Sequence, residues 1–191
     1  QLVCTTTDTS DGPNGIDVEG GASHTKLLNL ILKKEYPANS GGEGIIFSGN
    51  ADHSVAANCI VYGFHQSFSC NPGDDETHIL YNNTSVNAGR VAFGFSAYDD
   101  NETSVMKNNM AQRTGYNSYA SGGPIENQFY SNNISEDSYS VNPELSFSEV
   151  IFVDEANEDY RLSPRDTVAR EGGTDLSSVL CYAFSVDIEG E

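Results

Sequence analysis

Arg90, Lys107 and Arg113 are the only Lys or Arg residues between Lys34 and Arg161, in a chain with 9 basic against 28 acidic side chains. A cation set in so anionic a stretch can face a ligand carboxylate or hydrogen-bond a polyhydroxyl. Arg90 lies eight residues after Asn82, as Gln66 does after Asn58 and Tyr116 after Asn108. Stacked in a column, Gln66, Arg90 and Tyr116 could hydrogen-bond to and stack on a sugar chain. Lys107, at an exposed strand position just before Asn108, is a further substrate-binding candidate. Counting back eight residues from the same asparagines gives Asn50, Asp74 and Asp100, with Asp75 and Asp99 adjacent. Such an oxygen-rich column suits Ca²⁺, a hard cation that takes several oxygen ligands. A second acidic group, Asp8, Asp11, Asp17 and Glu19, lies near the N-terminus. Turn chemistry also places Asp and Asn beside Gly, so either group has a purely structural reading.

These columns presuppose a repeat. Residues 15–32 match residues 44–61 at a constant offset, and Asn29 and Asn58 are followed by further anchors at Asn82, Asn108 and Asn132. A period in the twenties, with β-branched residues and Gly-rich turns, is one coil of a solenoid. Leucine-rich repeats need regularly placed leucines, which are absent. Asparagine tolerates the left-handed backbone of a sharp bend between strands. Coils stacked about 4.8 Å apart let equivalent amides hydrogen-bond as a ladder. Asn83-Thr84-Ser85 and Asn133-Ile134-Ser135 then belong to the ladder, and Asn101 is the credible glycosylation acceptor. Twelve residues before the anchors, Asp17, Ile46, Cys70, Ser96 and Ala120 mark a second strand, and a third follows each anchor. The expected fold is all-β: a right-handed parallel β-helix of about five coils. Residues 1–14 lead in, 15–135 form the coils, and 136–191 form an irregular cap over the last open sheet edges.

A net charge of −19 excludes a nucleic-acid partner, which needs clustered Lys and Arg. The most apolar run, Leu27 to Leu32, is far below the roughly 20 residues of a membrane span, so no membrane insertion is expected. The start at Gln1 points to a processed, exported product that is secreted or extracellular. Cys4, Cys59, Cys70 and Cys181 allow three complete pairings. A Cys59–Cys70 bridge is one, and a buried free thiol at Cys59 is the competing reading. His24 and His53 share a repeat position and are expected to stack. No phosphate loop, Cys-x-x-Cys pair, His-Glu-x-x-His helix or Gly-x-Ser-x-Gly elbow occurs.

The string Phe152-Val153-Asp154-Glu155-Ala156-Asn157-Glu158-Asp159-Tyr160-Arg161-Leu162-Ser163-Pro164, followed by Gly172-Gly173-Thr174-Asp175-Leu176-Ser177, resembles the ending of bacterial secreted right-handed β-helix proteins. That group includes calcium-dependent pectate lyases. The resemblance implies a carbohydrate-active protein, concretely a Ca²⁺-assisted lyase of uronic-acid polymers. In such a lyase the cation neutralises the carboxylate and a basic residue, here Arg90, removes the adjacent proton. The other reading is a non-enzymatic extracellular protein, an adhesin or filament subunit. It would self-associate end to end through a first coil that no cap sequence precedes.

Overall fold

All five anchors take the left-handed backbone: Asn29, Asn58, Asn82, Asn108 and Asn132 have φ between 53° and 57°. In the computed structural model, which describes residues 12, 14–34, 41–49, 51–71, 76–96, 103–121, 128–138, 145 and 148–176, each anchor is the bend between two short strands. The first sheet stacks β1 (Ile16–Val18), β4 (Glu43–Ser48), β7 (Gln66–Asn71), β10 (Val91–Phe95) and β13 (Asn117–Ser121). The second stacks β2 (Lys26–Leu28), β5 (Ser54–Ala57), β8 (Thr77–Tyr81), β11 (Thr103–Lys107) and β14 (Gln128–Ser131). The third stacks β3 (Ile31–Lys33), β6 (Ile60–Tyr62), β9 (Thr84–Val86), β12 (Met110–Gln112) and β15 (Ile134–Ser135). Every pairing in these sheets is parallel. The chain is a β-solenoid with an anchor asparagine at each turn from the second sheet to the third.

The 29-residue offset holds in all three sheets, as Ile16↔Ile45, Lys26↔Val55 and Ile31↔Ile60. The column counted twelve residues before the anchors needs correction. Its true members are Asp17, Ile46, Ser69, Gly94 and Ala120; Cys70 and Ser96 do not belong. Seven residues carry the chain from Phe47 to Ser54, but eight from Cys70 to His78 and nine from Phe95 to Ser104, all between register mates. A count that crosses this turn therefore slips by one and then by two residues.

Inside the coils, Phe68, Phe93 and Tyr119 stack with centroids 4.9 and 5.0 Å apart, beside Ile45, Phe47, Leu80 and Met106. A second ladder runs one residue past the anchors, in the core. Asn83 Nδ2 donates to Asn109 Oδ1, and Asn109 Nδ2 to Asn133 Oδ1, each at 3.0 Å. The same amides donate to the carbonyls of Ala56, Leu80 and Met106 in the preceding coil. Cys59 occupies the next rung, its thiol 3.5 Å from the equivalent carbonyl of Leu27. Cys59 and Cys70 are both free, so they form no bridge with each other. Burial pushes the Cys59 thiol up to about 11 and raises Cys70 further, which keeps both protonated and inert. Cys4 and Cys181 lie outside the described residues. Asn83 and Asn133 are fully buried, so their sequons are structural.

The outer face of the third sheet is apolar too: Ile60, Tyr62, Val86, Met110 and Ile134 pack against Val150, Phe152 and Tyr160. The covering segment is an antiparallel hairpin of β16 (Phe152–Asp154) and β17 (Asp159–Leu162). Lys33–Glu158 and Arg113–Glu155 ion pairs flank it. Beyond it, Asn108 accepts from the Thr174 amide and donates to the Thr174 carbonyl, and Leu176 packs on Val55, Ala57 and Tyr81 of the second sheet. At the last coil, Glu136 and Asp137 accept the amides of Thr114 and Ser118, satisfying donors at the edge of the first sheet.

A second left-handed column, Gly63, Asn87 and Arg113, turns the second, third and fourth coils from the third sheet to the first, with φ of 79°, 54° and 55°. Asn87→Gly is expected to be nearly neutral, whereas Asn87→Val should cost about 1–3 kcal/mol through backbone strain. Urea midpoints of the two variants measure the difference.

Candidate functional site

Phe93 and Phe95 point into the core, so Gly94 between them faces outward. A side chain added there would meet Gln66 Oε1 at 3.4 Å and Val91 Cγ1 at 3.6 Å, which places those residues on the same outer face. Two outward columns result: Glu43, Gln66, Val91 and Asn117, and beside them Ile46, Ser69, Gly94 and Ala120. Ile46, Ser69 and Val91 are buried, while Gly94, Ala120 and Asn117 are half-exposed, so the face opens at Gly94 and towards β13. Its floor there is small because Gly94 and Ala120 carry no long side chain.

One rim of this shallow trough is the turn from the third sheet. The Arg90 amide donates to the His65 carbonyl, and the Tyr116 amide donates to the Arg90 carbonyl, so His65, Arg90 and Tyr116 stand in one column. Gln66 is not their register mate: it pairs with Glu43 and Val91, one position further along. The reason is a turn one residue shorter in the second coil, where four residues carry the chain from Tyr62 to Gln66 but five from Val86 to Val91. Gln66 still borders the trough, with its side-chain amide donating to Glu43 Oε1. Arg90 is exposed, and Tyr116 is the most exposed large hydrophobic residue among the described residues, at 69%. Cation and ring thus stand exposed in neighbouring coils, one turn before the strands that carry Gly94 and Ala120, and such a pair can hydrogen-bond and stack on a pyranose chain.

Lys107 is not brought to this place. It pairs with Tyr81 and Ser131 on the second sheet, half-buried. Asp17 lies on the trough's sheet but three strands from β10, roughly 14 Å away at the usual strand spacing. Its carboxylate is exposed, 3.4 Å from Asn14 Nδ2 and 3.4 Å from Ser48 Oγ, and Glu19 is exposed beyond the strand end. Among the described residues no three His, Cys, Asp or Glu side chains gather as a metal would require. Asn50, Asp74 and Asp100 lie outside the described residues, as do Asp8, Asp11, Asp75, Asp99 and Asn101.

His24 and His53 stack with centroids 5.1 Å apart and planes 7° from parallel, as their shared repeat position predicts. Sequence reasoning missed Glu43 and Gly94 as parts of the trough. The signal was the alternation Phe93, Gly94, Phe95, in which a residue without a side chain faces out between two core aromatics. Among the described residues no helix is long and apolar enough to cross a membrane. No protein-family model, no curated protein and no solved structure matches the chain, so its assignment as a β-solenoid rests on the strand registers themselves.

Proposed function

We propose that this is a secreted, carbohydrate-active β-helix protein of the pectate-lyase-like group, which binds a uronic-acid polymer along the outer face of the first sheet. The observation that carries the reading is the exposed Arg90–Tyr116 column, one turn before the strands that carry Gly94 and Ala120. Arg90 meets the uronate carboxylate or its neighbouring proton, Tyr116 stacks on a ring, and Gln66 and Asn117 hydrogen-bond hydroxyls. In elimination, Arg90 takes the proton beside the carboxylate, its electron pair forms a carbon–carbon double bond, and the glycosidic oxygen leaves and is protonated. The carboxylates of Asp74 and Asp100 are hard donors suited to Ca²⁺, which would neutralise the polymer's carboxylates when bound.

The test is incubation of the protein with pectate, alginate or a glycosaminoglycan, with and without Ca²⁺, following the ultraviolet absorbance of unsaturated product. Arg90→Ala is expected to abolish that signal, by at least about 10²-fold for a lost general base, with an unchanged melting temperature. A mild loss assigns Arg90 to binding, and no product from the unaltered protein removes lyase chemistry on these polymers. The second reading, an adhesin or a subunit assembling end to end, is favoured by β1, β2 and β3 being the outermost strands of their sheets among the described residues. Concentration-dependent sedimentation without unsaturated product would select it.

A further inference from the structure

Beneath the turn that joins β4 to β5 lies an imidazole that the proposed site does not use. The His78 side chain is fully buried, and neither ring nitrogen has a hydrogen-bond partner. Its nearest counter-charge is Glu76 Oε2, 3.7 Å from Nε2. The Phe47 ring lies 5.5 Å away at 40°, and the Ala51 carbonyl is turned to the ring outside hydrogen-bond geometry. The register neighbour on one side, Ser54, has a hydroxyl with no partner either; that on the other, Ser104, is engaged by the Tyr130 hydroxyl. Among the described residues the ring therefore makes no hydrogen bond, and Glu76, beyond hydrogen-bond distance, is the counter-charge nearest to a second proton on it.

Over the cage sits a junction of three coils. Asp52 Oδ1 accepts the Thr77 amide at 2.9 Å, its Oδ2 is 2.6 Å from His53 Nδ1, and its carbonyl accepts the His24 amide at 2.7 Å. The titratable groups around His78 are therefore Glu76 ahead of β8, Asp52 and His53 from the β4–β5 turn with His24 stacked beyond, and Tyr130 of β14 behind Ser104. From β4 the ring meets the apolar Phe47.

We propose that His78 is an acid-triggered latch: proton uptake by the buried ring forces open the corner where Asp52 brings the first three coils together. Burial holds the imidazole below the ordinary histidine range, against the opposing pull of Glu76. The folded chain then binds fewer protons than the unfolded one. Stability is full above the ordinary value near about 6.5, falls as pH drops below it, and stops falling once the folded ring takes up its own proton. The corner joins the turn between β4 and β5 to the start of β8, so acid loosens the contact between the second and third coils whatever the protein binds.

Melting temperature and exchange of the Thr77 amide, followed from about pH 8 to about pH 5.5 in the unaltered protein and in His78→Gln, test the latch. The unaltered protein should lose about 3–5 °C per pH unit within the window, and Thr77 its protection, whereas His78→Gln loses neither. Joint replacement of the exposed His24 and His53 by Gln should keep the pH dependence. A flat profile in the unaltered protein, or a fall that survives in His78→Gln, overturns the proposal. If His78→Gln does not fold, the imidazole of His78 is titrated by NMR in the unaltered chain, and a midpoint at or above the ordinary histidine value has the same consequence.

Discussion

Asn109→Ala is expected to destabilise the protein by about 3–5 kcal/mol, a large share of the stability of an ordinary domain. The Asn109 amide makes four buried hydrogen bonds: its oxygen accepts from the backbone and side chain of Asn83, and its nitrogen donates to Leu80 O and Asn133 Oδ1. Truncation leaves the Asn83 backbone amide without a partner in a core that water does not reach, at about 1–3 kcal/mol, and removes three further buried hydrogen bonds at about 1 kcal/mol each. Asn83 Nδ2 keeps its bond to Ala56 and Asn133 Oδ1 its bond from the Asn109 amide. The loss is therefore partial, and the coils above and below stay registered. Asn29→Ala, at the exposed end of the outer column, removes no such bond and should cost about 1 kcal/mol of left-handed strain. Urea unfolding with an unchanged slope measures both, and equal losses would falsify the distinction between the two ladders.

Phe93→Ala should cost about 3–5 kcal/mol by a different route. Phe93 is the middle ring of the stack with Phe68 and Tyr119, fully buried, with planes 7° and 11° from its neighbours. Backbone hydrogen bonds to β7 and β13 hold the walls at fixed spacing, so the space left by the ring cannot collapse and the full cavity penalty applies. Phe93→Leu, which fills most of the volume, should recover more than half of the loss. A thermal melt in which Phe93→Ala falls by less than about 3 °C would show that the coils can close over the gap.

The anchors were legible because a left-handed bend leaves a residue-level mark: five asparagines at near-regular spacing all prove to be bends. The stacked His24 and His53 were legible for the same reason, as they lie in the one pair of coils with no length change between them. Columns that cross a turn of variable length were not. The Ser69–Gly94 register and the displacement of Gln66 from the Arg90 column both follow from single-residue changes in turns, which carry no signature of their own. The inner ladder was half legible. The doublets Asn82-Asn83, Asn108-Asn109 and Asn132-Asn133 are plain in the sequence, but which member bends the chain and which turns inward is decided by the backbone at the bend. The hairpin lying on the third sheet had a signal that went unread. Ile60 and Val61, or Met110 and Ala111, are consecutive apolar residues in one short strand, which marks a strand covered on both faces.

The path of the tail also sets an order of events. Each coil closes on a neighbour at most 29 residues away, as Ile16 does on Ile45, so coils can zip one after another at little loop-closure cost and at a rate insensitive to their number. The Lys33–Glu158 pair spans 125 residues and Asn108–Thr174 spans 66, so the tail docks on a surface that exists only after the coils have stacked. The solenoid is thus a template for the segment around Glu158 and Thr174.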